Sequence, residues 1–172
     1  AATLGGTTAA GYPTALATQL NYFRRGQMFS YLNAEKIMRC PADKINDLFY
    51  QRGILFTSYV WNGAINAYHQ NNAAKSFKMT QFKPMSVLMW ETDERTPFYF
   101  NDSSSFPDEG ISERHGKGAT ISLFSGSTER ISVRDWYGND FAGQSGRRGA
   151  GIPATMLPGR AWCNPAKPNG LR

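Results

Sequence analysis

Two histidines and two cysteines are the side chains here best suited to act as bases, nucleophiles or soft metal ligands. His115 sits in a glycine-rich turn, Arg114-His115-Gly116-Lys117-Gly118. As a general base it would need a carboxylate to orient it and a nucleophile or substrate within reach. Glu113 is near in sequence, but neighbouring strand positions do not converge on one point. No G-x-S-x-G elbow, H-E-x-x-H helix or phosphate loop accompanies it. The expectation is therefore that His115 hydrogen-bonds across a hairpin and fixes its turn, with no catalytic set assigned. His69 lies beside Gln70, Asn71 and Asn72, the setting of a solvated surface residue. Cys40 and Cys163 are too few and too far apart for a cysteine zinc site, and read as two thiols or as one disulfide. A Cys40–Cys163 bond would close most of the chain and contribute about 4–5 kcal/mol in the chain-entropy picture.

Carboxylates supply the other chemistry. Seven of the thirteen acids fall between Glu91 and Glu113, on a stretch with Asn101, Ser103 and Ser104. Such oxygens suit calcium, the one cofactor the composition leaves open, although no EF-hand spacing orders them. Asn101-Asp102-Ser103 also matches a glycosylation sequon, a pattern common by chance. The net charge of +6 is uneven: residues 138–172 hold five basic side chains against Asp140 alone. That balance lacks the basic stripe with interleaved aromatics expected of a nucleic-acid surface.

The elements that must position these groups follow from periodicity. Residues 119–124 and 128–133 alternate about Ser125-Gly126, which predicts a β-hairpin. Ile121, Leu123, Ile131 and Val133 would face the core, and Thr120, Ser122, Arg130, Ser132 and Arg134 water. Residues 85–91 form the most apolar run and predict a central strand. Residues 58–61, stopped by Asn62-Gly63, predict another. Residues 13–23 have helical spacing through Leu16, Leu20 and Phe23, and 27–32 restart a short core-covering helix with Met28, Tyr31 and Leu32. Pro41 biases Cys40 to an extended conformation, and Phe98-Tyr99-Phe100 would pin the acidic loop to the core. After Tyr137, seven of the seventeen glycines and four of the nine prolines fall in an irregular, basic arm with Ile152, Met156, Leu157 and Trp162 as anchors. The expected fold is α+β: an antiparallel sheet packed on an N-terminal helix in residues 1–137, with a long C-terminal arm in 138–172. No apolar run reaches the length of a membrane span. Residues 1–8 read as the inside of a longer protein, so a removed leading segment is expected.

Four segments together resemble the prepilin-type H-X9-DG family, relatives of type IV pilins and type II secretion pseudopilins. Phe29-Ser30-Tyr31-Leu32 through Cys40-Pro41-Ala42-Asp43 resembles its Cys-Pro-x-Asp segment. Ser58-Tyr59-Val60-Trp61-Asn62 resembles its Ser-Tyr-x-x-Asn element, and Lys83-Pro84 with the run to Glu91 resembles its Lys-Pro strand ending in an acid. His115, nine residues, then Ser125-Gly126 matches the spacing of the namesake motif, with serine where the family has aspartate. The resemblance spans residues 29–137 and implies a pilin-like head domain without enzyme activity. It implies a structural subunit of a pilus-like or pseudopilus-like filament in the periplasm or at the bacterial surface. Partners would be its own copies or other pilin-like subunits, with the inner membrane reached through a family N-terminal helix missing from these residues. Pseudopilins are also known for calcium in a C-terminal loop, which supports the acidic segment as a candidate. In a filament the basic arm of one subunit could meet the acidic loop of the next. The alternative reading is a minor pilin acting as a surface binding module for DNA or an acidic polysaccharide.

Overall fold

A computed structural model describes residues 15–65, 77–138, 159–166 and 170. The opening residues, His69, and Ile152, Met156 and Leu157 of the arm lie outside the described residues. The protein is mixed α/β, with a five-stranded sheet and a few short helices.

Helix α1, Leu16–Arg24, lays Leu16, Leu20 and Phe23 against Ile54 and Phe56, as its spacing predicts. Gln19 is also buried on that side: Nε2 donates to the Gly53 carbonyl at 2.7 Å, and Oε1 accepts from Leu55 N at 2.7 Å. It thereby satisfies backbone groups of a buried loop that has no ladder of its own. Helix α2, Phe29–Leu32, follows, but its inward face differs from the expected one. Phe29 and Leu32 join the Phe23 cluster, whereas Met28 and Tyr31 are exposed. Phe29 meets Phe23 edge to face at 5.5 Å between centroids, a contact that rotates the turn and leaves Tyr31 outside. A third short helix, α3, Asp47–Tyr50, starts at an Asn46 side-chain cap.

The strands are β1 (Tyr59–Asn62), β2 (Val87–Glu91), β3 (Ser104–Ser105), β4 (Gly118–Leu123) and β5 (Thr128–Ser132), in the order β3-β1-β2-β4-β5. The apolar run becomes the central strand, with Val87 and Trp90 fully buried. β1, β2, β4 and β5 pair antiparallel, but β3 runs parallel to β1, so the sheet is mixed and not purely antiparallel as the sequence suggests. Ile121, Leu123 and Ile131 enter the core with Trp90, Ile111 and Trp136. Val133 does not extend the second arm: it opens helix α4, Val133–Trp136, whose cap Ser132 accepts from Asp135 N.

In the C-terminal arm, the stretch from Gly159 to Ala166 lies on this same domain. Val87 N donates to the Arg160 carbonyl at 2.8 Å, Ala161 and Trp162 are buried, and Trp162 stacks on Phe106. No helix among the described residues is long and apolar enough to cross a membrane.

Candidate functional site

The Cys40-Pro41-Ala42-Asp43 turn closes through Asp43 N to the Cys40 carbonyl at 2.9 Å. It points Cys40 Sγ inward, where Ala42 N donates to the sulfur at 3.4 Å. Two residues of the next segment hold the turn down. Arg52 forms a bidentate pair with Asp43 at 2.8 and 3.0 Å, and Ser58 Oγ donates to Asp43 at 2.7 Å. Both members of that ion pair are buried, and the Arg52 guanidinium lies 4.0 Å above the Phe100 ring. Phe100 alone of the Phe98-Tyr99-Phe100 trio pins the acidic loop; Phe98 faces solvent. Burial pushes the Asp43 carboxyl upward, but the Arg52 hydrogen bonds, the Arg114 charge and the Ser58 hydroxyl outweigh it, and the net direction is downward.

β2 supplies the next group. Glu91 ends that strand opposite Tyr59 and is wholly buried. One oxygen accepts the Thr120 backbone N–H at 2.8 Å, and Arg114 lies 3.8 Å from the other. His115 comes from the turn that opens β4. Its own N–H reaches the Gly118 carbonyl at 3.1 Å, and Gly116 and Lys117 both take left-handed φ, 61° and 60°.

The histidine therefore behaves differently from expectation. The contact across the hairpin is made by its carbonyl, which accepts from Arg130 Nε at 2.8 Å. The ring turns the other way, towards β2. Nε2 lies 3.1 Å from Glu91 and 3.3 Å from Cys40 Sγ. Thiol, imidazole and carboxylate thus meet at one point, with ligand atoms all within 4.8 Å of one another. His115 keeps a third of its side chain exposed while Cys40 and Glu91 are buried, so the cluster opens on the histidine side. Burial first, and then Glu91, push the Cys40 thiol up.

In a nucleophilic triad one ring nitrogen faces the nucleophile and the other faces the acid. Here the same nitrogen faces both, which is the arrangement of a shared ligand point.

The structure separates the two ends of the namesake motif. His115 precedes β4 and Ser125 follows it, so the nine-residue spacing is the length of a strand, on the order of 20 Å for six residues. Ser125 and Gly126 form the far turn, where Ser125 Oγ meets Ser127 Oγ at 2.8 Å and Gly126 has φ 83°. An aspartate at that turn would be no nearer to the histidine.

The Cys40–Cys163 bond is not formed. Both cysteines are free: Cys40 is held against His115, and Cys163 lies 3.7 Å from Asn62 Nδ2. Burial pushes the Cys163 thiol up to about 12. The acids proposed for calcium are spread out and engaged. Asp93 binds Arg95 and Thr96, Glu113 binds Arg95, Asp102 caps Ser104 N, and Glu109 accepts from Phe106 N. Among the described residues, the group of three suitable ligands is Cys40, Glu91 and His115.

Sequence reasoning singles out Cys40 and His115 without joining them, and treats Glu91 as the end of a strand and the first acid of the stretch read for calcium. Their meeting depends on strand register, which no local spacing displays. No protein-family model, curated protein or solved structure matches this chain.

Proposed function

We propose that the chain is a structural subunit of a bacterial pilus-like or type II secretion pseudopilus-like assembly, acting through contacts between subunits and without turnover. One observation carries the reading. The four segments that bear the prepilin-type resemblance meet in space, through Cys40 and Asp43, Ser58, Glu91 and His115. Short matches arising by chance would have no reason to share one buried polar cluster.

The order of elements supports the same reading. A helix leads, its apolar side covers Ile54 and Phe56, and a mixed sheet follows in which β1, β2, β4 and β5 pair antiparallel, an order compatible with a pilin-like head. The surface beside α1 and α2 is suited to subunit contact. Met28 and Ile37, 42 and 49% exposed, line a groove of 290 Å³ with Leu32, Met38 and Ile121, and Tyr31 of helix α2 is 89% exposed. Exposed apolar patches of this kind mark interaction surfaces. The compartment that goes with this function is the periplasm or the cell surface.

A photo-crosslinking amino acid placed at Tyr31, in the protein produced in its native cell, tests the proposal. A ladder of multimers, or adducts with other pilin-like subunits, is the expected result. A monomer band alone would overturn it. Retention on DNA that falls steeply with salt, without a ladder, would favour a surface binding module instead.

A further inference from the structure

We propose that Cys40, Glu91 and His115 form a binding site for a zinc-class divalent ion, which staples the Cys-Pro turn, the end of β2 and the turn before β4 together. This goes beyond the assembly reading and does not depend on it.

The geometry is the first argument. A tetrahedral zinc with ordinary bond lengths separates its nitrogen and oxygen ligands by about 3.3 Å and its nitrogen and sulfur ligands by about 3.5 Å. In the cluster those edges are 3.1 Å from Nε2 to Glu91 and 3.3 Å from Nε2 to Sγ. Both edges lie within a few tenths of an ångström of a tetrahedral site, and the third, from Sγ to Glu91, is within 4.8 Å.

Hydrogen bonding is the second. A thiol and a carboxylate both converge on Nε2, and the thiol also bonds Glu91, so three potential ligand groups share one small set of protons. A cation at the centre satisfies all three groups.

The surroundings hold the donors in place, as outer-shell groups do at metal centres. Thr120 N fixes the second Glu91 oxygen at 2.8 Å, and Ala42 N donates to Cys40 Sγ at 3.4 Å. The nearby Arg114 is engaged by Asp43 at 3.5 Å, Glu94 at 3.4 Å and Ser112 Oγ at 2.8 Å, and its Nη1 stays 3.8 Å from Glu91, a fixed positive charge that the carboxylate faces beside the ion.

The donor set selects the ion. Thiolate with imidazole suits zinc and its neighbours, whereas calcium and magnesium take oxygen ligands. On binding, the Cys40 Sγ proton leaves to solvent, and the His115 ring proton resides on Nδ1 so that Nε2 can ligate. Three protein ligands leave a fourth position on the exposed histidine side for water.

Cobalt titration of the intact metal-free chain tests this, followed by zinc competition against a chromophoric chelator. One cobalt per chain with a near-ultraviolet thiolate charge-transfer band is expected, displaced by zinc and unaffected by calcium or magnesium. Cys40→Ser should remove the band and weaken zinc binding by at least about 100-fold, and His115→Ala by at least about 10-fold. His69→Ala and Cys163→Ser should leave both unchanged. Because Cys40 is buried, circular dichroism must show each variant folded; His115→Ala, at a partly exposed site, keeps the test decisive if Cys40→Ser unfolds. The proposal fails if the folded wild type gives no thiolate band, if the band survives Cys40→Ser, if His115→Ala binds zinc as tightly as the wild type, or if Cys163→Ser abolishes the band.

Discussion

At the scale of single residues, Asp43 does more for the site than any group that could carry chemistry. Its carboxylate receives Arg52 twice and Ser58 once, and Ser58 in turn accepts Cys40 N at 3.1 Å. Asp43→Asn would keep the shape and leave a buried guanidinium without its counter-charge. That should cost about 3–5 kcal/mol at neutral pH, read as a lowered urea midpoint with unchanged slope. The pH dependence has a definite sign. The folded-state pKa of Asp43 lies below its unfolded value, so its contribution is complete above about pH 4 and is lost as pH falls through the folded value. Wild-type stability should therefore drop more steeply in acid than that of Asp43→Asn. Parallel acid profiles for the two proteins would mean that the Asp43–Arg52 pair contributes nothing to folding.

Among the elements, the β4–β5 hairpin shows how differently two glycines can matter. Gly126 turns the hairpin with φ 83° in open space, where an added Cβ would meet nothing within 4 Å. Gly126→Ala should cost only the conformational penalty, about 1 kcal/mol. Gly118 lies inside β4, where a Cβ would run into the Ile131 carbonyl oxygen across the ladder. Gly118→Ala must push β5 away and should cost about 2–3 kcal/mol in thermal or urea unfolding. Equal losses at the two positions would contradict this account. The same hairpin marks the limit of what the sequence discloses. Ile121, Leu123 and Ile131 announce a strand pair because alternation is local, and the apolar run ending at Trp90 announces a central strand for the same reason. Ser104–Ser105 announces nothing, since two polar residues become a strand only by pairing with Trp61 and Asn62. The start of α4 is legible in principle, because Ser132 and Asp135 have the spacing of a helix cap. Half of the site stays hidden. His115 stands out by type, whereas Glu91 joins it only because β2 and β4 pair in one particular register. Cysteine counting argues against zinc because it looks for several cysteines, and a set of one cysteine, one histidine and one glutamate escapes that rule.

For the whole molecule, the question is whether Gly159–Ala166 is an appendage or part of one cooperative unit. An appendage would lie on the surface and could leave without disturbing the sheet. The packing favours the second view. Asn62 Nδ2 donates to the Val87 carbonyl at 2.8 Å and to the Ala161 carbonyl at 2.7 Å, which ties β1, β2 and the arm through one amide. Trp162 is 1% exposed and stacks on Phe106, and Arg160 reaches the Met85 carbonyl at 2.9 Å and Glu129 at 2.5 Å. Removing the arm would thus expose indole and aromatic surface, free the Val87 N–H, and leave a buried asparagine short of an acceptor. Trp162→Ala should accordingly destabilise the entire domain by about 3–5 kcal/mol. Tryptophan fluorescence and far-ultraviolet circular dichroism should shift together, because the indole that is lost supports the strands the second signal reports. A variant whose circular dichroism midpoint stayed at the wild-type value would make the segment a detachable arm, free to reach a neighbouring subunit. A shared shift would place it in the core of its own domain and confine any subunit contact from that end to residues beyond it.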